Sequence, residues 1–206
     1  MNTDAIWLNA RLGFEHILDP AGLDHVLFLL VLVALMDFRD WKAVLWAVTA
    51  FTIGHSLTLA WAPASFVEQW QGWIEWGIPL TIFLSGWLNI LRGEKGKNGS
   101  VRWLMAGLFG LIHGLGFGNY FRMLSAGSDS KWADLLPFSL GIESGQLLVV
   151  LAFMMLSWAF RNAFAIKLRD WNLVVSSRAR ASPSYGCSNA GLRSRLQVLR
   201  KRSFYN

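Results

Sequence analysis

Five long, nearly charge-free apolar runs constrain the fold of this 206-residue chain more than any other feature. They occupy residues 19–36, 43–62, 71–91, 102–121 and 135–160. A helix needs about 20 apolar residues to cross the hydrocarbon core of a membrane. No polar face recurs in these runs, as it would in the surface helices of a soluble bundle. The sequence therefore predicts an all-α, polytopic transmembrane helix bundle with five spans.

The composition agrees with a membrane protein and excludes several soluble classes. Charged residues make up only 16% of the chain, against roughly 25% in soluble domains. The net charge of +6 lies outside the apolar runs, so the expected partner is the lipid bilayer and not a nucleic acid. The single Cys187 excludes a disulfide framework and a cysteine-rich metal site. The chain has no GxxxxGK[ST] motif, so it has no ATPase of the P-loop type.

The basic residues predict the topology. All 19 Lys and Arg lie in the segments 37–42 and 92–102 or beyond residue 160, except Arg11, Arg122 and Lys131. Cytoplasmic loops carry an excess of Lys and Arg. We therefore expect loops 37–42 and 92–102 in the cytoplasm and the N-terminus outside, in the inner membrane of a bacterium.

The two ends of the chain differ from the apolar runs. Residues 5–18 (AIWLNARLGFEHIL) are moderately amphipathic, which favours an N-terminal interfacial helical segment or the extracytoplasmic start of the first span. Residues 176–206 lose all periodicity and become basic and serine-rich. We expect one transmembrane helical domain over residues 1–175 and a disordered basic tail over 176–206.

The candidate metal ligands are ionisable groups within or beside the apolar runs. They are His16, Asp24, His25, His55, His113 and Glu143. An ionisable side chain inside a bilayer is costly, faces the bundle interior and marks function by default. Other roles stay open: hydrogen bonds between helices for the histidines and Glu143, and a helix-start position for Asp24.

Helical spacing predicts that these side chains converge. Ser139, Glu143 and Gln146 share one helix face, at positions i, i+4 and i+7. A second polar face, next to His55, completes a set of supporting polar residues: Thr52, Ser56, Ser139 and Gln146. We expect the two faces to meet in the bundle, and His113 to lie near His25, His55 and Glu143.

A glycine stripe accompanies His113. Gly110, Gly114 and Gly118 repeat every four residues in the stretch FGLIHGLGFGN (109–119). Such small-xxx-small patterns let another membrane helix approach closely. The stripe predicts a tight helix contact beside His113.

The donor types indicate the kind of ion. Imidazole and carboxylate without an available thiolate suit Ni²⁺, Co²⁺ or Zn²⁺ better than Cu(I). Binding is expected to depend on pH, because histidine ligates only when neutral. The residues thus favour a permease for a divalent transition metal, with no organic cofactor.

Four motifs, in order, resemble the HupE/UreJ family of small integral membrane proteins. They are FEHILDPAGLDHVLFLL (14–30), TAFTIGHSLTLA (49–60), FGLIHGLGFGN (109–119) and LGIESGQ (140–146). The resemblance covers residues 10–175. It implies a nickel or cobalt permease in which His16, Asp24 and His25 handle the metal. His55, His113 and Glu143 would complete its histidine and acidic positions.

The chain departs from the family pattern at two places. Seven residues separate His16 from Asp24, where hydrogenase-linked members have five, so the chain resembles the second, divergent branch. Family members continue into a sixth helix, and RDWNLVVSS (169–177) reads like its opening. We hypothesise that a frameshift near codon 177 removed the rest. The neighbouring reading frame then encodes an apolar stretch of about 20 residues, and its absence would exclude the idea.

Two other function classes stay open at this stage. A membrane-embedded metallohydrolase would need three His or Asp ligands converging on one metal with an open position. A membrane accessory or scaffold protein would use the histidines as structural hydrogen-bonding groups. A homo-oligomer is an open alternative to a monomer.

Overall fold

The computed structural model describes residues 3–93, 100–126 and 130–178, and these ranges contain seven α-helices and no β-strand. The helices are α1 (Thr3–Leu18), α2 (Leu23–Val33), α3 (Trp41–Trp61), α4 (Ala64–Arg92), α5 (Ser100–Ser125), α6 (Lys131–Phe164) and α7 (Leu168–Arg178). Four stretches are long and apolar enough to cross a membrane: Phe38–Trp61, Ala64–Arg92, Val101–Ser125 and Lys131–Phe164. The predicted all-α polytopic bundle is confirmed.

The first predicted span, residues 19–36, is not one straight helix. Helix α2 has only 11 residues, fewer than the roughly 20 that a span requires. A 3-10 turn at Pro20–Gly22 joins it to α1, and the two helices are bent by 72°. Pro20 lacks an N–H and obstructs the preceding helical turn, so a break here is expected. Within the described ranges, four helices are long and apolar enough to span a membrane, or five if α1 and α2 together count as one.

The C-terminal region partly follows the sequence prediction. Helix α7 contains the predicted opening of a sixth helix, 169–177, and ends at Arg178. The predicted tail at 176–206 therefore begins inside a helix, and its residues 179–206 lie outside the described residues. The same holds for residues 94–99 of the predicted cytoplasmic loop.

Helices α1 and α6 pack with their backbones in contact. A Cβ atom placed on Gly13 would lie 2.0 Å from the Phe138 carbonyl oxygen, and one on Gly141 would lie 1.9 Å from that of Ala10. Only glycine permits this approach. Residues 5–18 therefore line the bundle along α6. Their predicted place at the membrane surface stays a prediction.

The outer surface of the bundle is apolar, and polar side chains are buried among the many apolar ones inside it. Large apolar side chains such as Trp46 and Leu140 are 68% and 67% exposed, whereas His55 and Gln146 are 0% exposed. A water-soluble protein rarely exposes large apolar patches. Together with its long apolar helices, this arrangement identifies the chain as an integral membrane protein.

A polar network holds the C-terminal end of α2. Asn89 of α4 donates to the Val31 carbonyl oxygen at 2.5 Å, and Arg102 of α5 donates to that of Leu32. Both carbonyls lie in the last turn of α2, where backbone carbonyls have no hydrogen-bond donor from a following helical turn. Asn172 of α7 donates to the carbonyl oxygen of Asn89 at 3.2 Å. The short α2 is thereby fixed against α4 and α5, and α7 is fixed against α4.

Candidate metal centre

The bend between α1 and α2 places two histidines side by side. His16 lies in the last turn of α1 and His25 in the first turn of α2. The Gly22 N–H donates to the Asp19 carbonyl oxygen at 2.8 Å and closes the turn between them. The two ring centres are 4.8 Å apart. A straight helix would separate these residues by more than two turns.

Glycine contacts between α3 and α5 bring two further histidines inward. A Cβ on Gly54 would lie 2.1 Å from the Gly107 carbonyl oxygen, and one on Gly110 would lie 2.2 Å from that of Phe51. At Gly114 the nearest backbone atom would be the His55 carbonyl oxygen, at 2.4 Å. His55 follows Gly54, and His113 precedes Gly114. The close contact therefore carries both imidazoles to the helix interface.

The third member of the predicted glycine stripe lies elsewhere. A Cβ on Gly118 would meet the Val67 side chain of α4 at 3.6 Å, which is ordinary contact. Gly110 and Gly114 belong to the close α3–α5 contact, and Gly118 does not. The four-residue repeat predicted the contact surface but extended it one turn too far.

Three histidines from three helices meet at one place. His16, His25 and His55 each offer a ligand atom, and these atoms all lie within 4.8 Å of one another. The His16 and His25 ring centres are 6.0 and 5.9 Å from that of His55. We call these residues the histidine triad. The spacing is that of side chains able to share one metal ion after small rotations.

His113 adjoins the triad through one of its members. Its ring centre lies 5.4 Å from that of His25. The Nδ1 atom lies 2.9 Å from the Phe109 carbonyl oxygen. Because a carbonyl can only accept, Nδ1 carries the proton, and Nε2 presents its lone pair. The ring of His113 thus lies next to that of His25, and a shared site that also includes His55 and Glu143 stays a prediction.

Most imidazole nitrogens of the cluster lack protein partners. Among the described residues, hydrogen-bond partners are missing for buried His16 Nε2, for both nitrogens of His25 and His55, and for His113 Nε2. A buried polar atom without a partner costs about 1–3 kcal/mol. Histidines that served as structural hydrogen-bonding groups would be paired. Each neutral imidazole offers one lone pair, and lone pairs gathered without donors fit a cation better.

Aromatic rings enclose the cluster. Phe117 lies 3.9 Å from the His16 ring centre. Phe51 and Phe28 lie 5.2 and 5.4 Å from that of His113. An apolar wall strengthens the interaction between a bound cation and its ligands, because little water screens it. The sequence analysis named none of these phenylalanines, since apolar side chains fill all of the spans.

The two predicted carboxylate ligands are not members of the triad. Glu143 accepts a hydrogen bond from the Thr49 hydroxyl at 2.5 Å. Asp24 is half-buried in the first turn of α2, beside His25. Neither belongs to the group of atoms within 4.8 Å that the triad forms. Their role as metal ligands stays a prediction.

The predicted polar faces of α3 and α6 meet along a seam. Thr52 donates to the Gln146 side-chain oxygen at 2.9 Å, and the hydroxyls of Ser56 and Ser139 are 2.7 Å apart. With the Thr49–Glu143 hydrogen bond, three side-chain pairs join the helices. These residues fix the register of α3 against α6. They support the position of His55 and are not themselves in the triad.

Replacing Glu143 by glutamine tests its predicted role as a ligand. The glutamine retains an oxygen that can accept from Thr49, so we expect metal affinity within about threefold of wild type. The loss of a ligand should lower metal affinity at least as much as the loss of a hydrogen-bond partner of a ligand, which lowers it about 10–100-fold. Isothermal titration with Ni²⁺ measures the difference, and a drop of that size would assign Glu143 to the metal.

The sequence analysis missed the glycines that position His16. Gly13 on α1 and Gly141 on α6 make the backbone contacts described above, and Gly145 continues them towards Ile17 at 3.2 Å. The signal was present as a Gly-xxx-Gly pair at 141 and 145. In the same stretch, Glu143 and Gln146 mark the polar face of the helix, which is a stronger signal than two glycines.

Comparison with known families agrees with this geometry. A family model described as HupE / UreJ protein matches residues 2–182. The match includes the triad, His113 and all seven helices. No curated protein and no solved structure shows a significant match to the chain.

Proposed function

We propose, because the chain belongs to the HupE/UreJ family, that it is a permease for a divalent transition metal. This family suggests a nickel/cobalt transporter-type membrane protein. The proposed cargo is therefore Ni²⁺ or Co²⁺. The observation that carries the proposal is the histidine triad. Its unpaired nitrogens lie among helices long and apolar enough to cross a membrane.

The ligand set favours these ions over the more abundant hard cations. Mg²⁺ and Ca²⁺ prefer oxygen ligands, whereas imidazole suits nickel, cobalt, zinc and copper. Three neutral imidazoles also add no negative charge to the site. A permease must release its cargo, and neutral ligands hold a divalent cation less strongly than carboxylates or thiolates would.

The charge distribution supports the orientation in the membrane. Loops 37–42 and 92–102 carry most basic residues between the spans, which favours the cytoplasmic side. We place the N-terminus outside and the protein in the inner membrane of a bacterium. Helix α1 then enters the bundle from the outer side along α6, and we propose that the triad receives metal from outside.

Uptake into proteoliposomes tests the proposed function. The full chain is reconstituted around a metal-sensitive dye, and Ni²⁺, Co²⁺, Mg²⁺ and Ca²⁺ are added separately. We expect entry of Ni²⁺ or Co²⁺ well above protein-free vesicles, and no such entry of Mg²⁺ or Ca²⁺. The variant Leu140→Ala, at a 67% exposed position on α6, should match wild type. Entry no faster than in protein-free vesicles would contradict the proposal.

A metallohydrolase is the second candidate, because the three triad ligands converge at one place as in a catalytic zinc site. Such an enzyme also needs a nearby group that accepts and donates protons. Glu143 is the candidate for that role, but its carboxylate is already hydrogen-bonded to the Thr49 hydroxyl. Zinc-dependent hydrolysis of a model ester or peptide that His55→Ala abolishes would favour this alternative.

A further inference from the structure

His25 is the central ring of the cluster. Its centre lies 4.8 Å from that of His16, 5.9 Å from that of His55 and 5.4 Å from that of His113. The first two are its partners in the triad, and His113 lies outside that group. His25 thus belongs to two neighbouring sets of nitrogens. We propose that the cation moves between two overlapping stations, from the triad to a His25–His113 pair, and keeps His25 as a ligand throughout.

The ring separations fit both stations. A metal 2.0–2.1 Å from each nitrogen would hold two imidazole centres about 4.5–6.4 Å apart for ligand angles from 90° to 180°. The His25–His113 distance of 5.4 Å falls in this range, as do those inside the triad. The transfer therefore requires side-chain rotation and no rearrangement of helices.

His113 is oriented as a ligand. The Phe109 carbonyl oxygen accepts from Nδ1–H at 2.9 Å, which fixes the tautomer and leaves the Nε2 lone pair free. Among the described residues, Nε2 has no hydrogen-bond partner, and the residue is only 1% exposed. Metal-binding histidines typically donate their other N–H to a backbone carbonyl or a carboxylate in this way.

The second station is suited to release. It offers two imidazoles where the triad offers three, so it holds the ion less strongly. Phe28 packs 5.9 Å from Phe109, the residue that orients His113. Phe109 also lines a cavity with Leu32, Asn89 and Arg102, beside the start of α5. The transfer thus leads from the bend between α1 and α2 towards His113 in the middle of α5.

The variant His113→Ala tests the transfer, which rests on the proposed function. We expect it to bind Ni²⁺ with an affinity within about threefold of wild type, because the triad is intact. Uptake into proteoliposomes should fall by more than about tenfold. Loss of a residue that only hydrogen-bonds to a metal ligand already lowers metal affinity about 10–100-fold. A fall of that size in His113→Ala would indicate one site with four histidines and would overturn the inference. Unchanged uptake would also overturn it.

Wild-type protein gives a second test that does not depend on the folding of a variant. Since both stations use His25, they cannot be filled together, and saturating Ni²⁺ should bind at one ion per chain in equilibrium dialysis. Two ions per chain would contradict the shared ligand. A wild-type protein that neither binds nor transports metal would overturn the proposed function as well. If the wild-type protein transports Ni²⁺ and His113→Ala transports it equally well, the transfer is overturned while the proposed function stands.

Discussion

Replacing His25 by alanine is expected to abolish Ni²⁺ uptake and to lower Ni²⁺ affinity by at least about 100-fold. This loss exceeds the roughly 10–100-fold loss of affinity that follows when a hydrogen-bond partner of a ligand is removed. The reason is geometric, because His25 is the ring next to all three other histidines. Its loss removes a ligand from both stations. Isothermal titration measures the affinity, and dye-loaded proteoliposomes measure the uptake.

The control for this variant lies in the same helical turn. Leu23 begins α2 and is 56% exposed, so Leu23→Ala should bind and transport metal as wild type does. His25→Ala must also keep the helical circular dichroism of wild type. A folded His25→Ala protein that binds Ni²⁺ with wild-type affinity would show that the metal site lies outside the histidine triad.

Replacing Gly110 by alanine is expected to cost about 1–3 kcal/mol of stability, as overpacking in a tight interior does. The added Cβ would lie 2.2 Å from the Phe51 carbonyl oxygen and 3.1 Å from the His55 amide nitrogen. Helices α3 and α5 would have to separate, which moves His113 and His55. Thermal unfolding in detergent and Ni²⁺ titration should both report the change.

The same helix provides the matched control. Gly118→Ala adds an identical group two turns away, where its Cβ would meet only side chains, with Val67 at 3.6 Å. We expect its stability and metal affinity to stay close to wild type. Equal losses for Gly110→Ala and Gly118→Ala would contradict the close α3–α5 contact.

The membrane helices were predictable because their signal is local. A run of apolar residues such as 135–160 needs a helix to satisfy its backbone in lipid, and α6 covers it as Lys131–Phe164. The break at Pro20 was harder to place. The apolar pattern continues through residues 22–36, while the turn chemistry at Pro20–Gly22 sets the 72° bend.

The candidate site residues could be chosen from the sequence more readily than their arrangement in space. Burying histidines in apolar runs is costly, so His25, His55 and His113 stood out from the sequence alone. Which helices become neighbours depends on small residues far apart in the chain, such as Gly13 and Gly141. Helical spacing also put Glu143 on the correct face, but it could not distinguish a metal from the Thr49 hydroxyl as its partner.

X-ray absorption on wild-type protein loaded with one equivalent of Ni²⁺ tests the metal assignment of the triad most directly. The account predicts nitrogen ligands near the roughly 2.0–2.1 Å typical of zinc–histidine bonds, with outer-shell scattering from three imidazoles, those of His16, His25 and His55. Coordination by oxygen alone, without imidazole scattering, would contradict it.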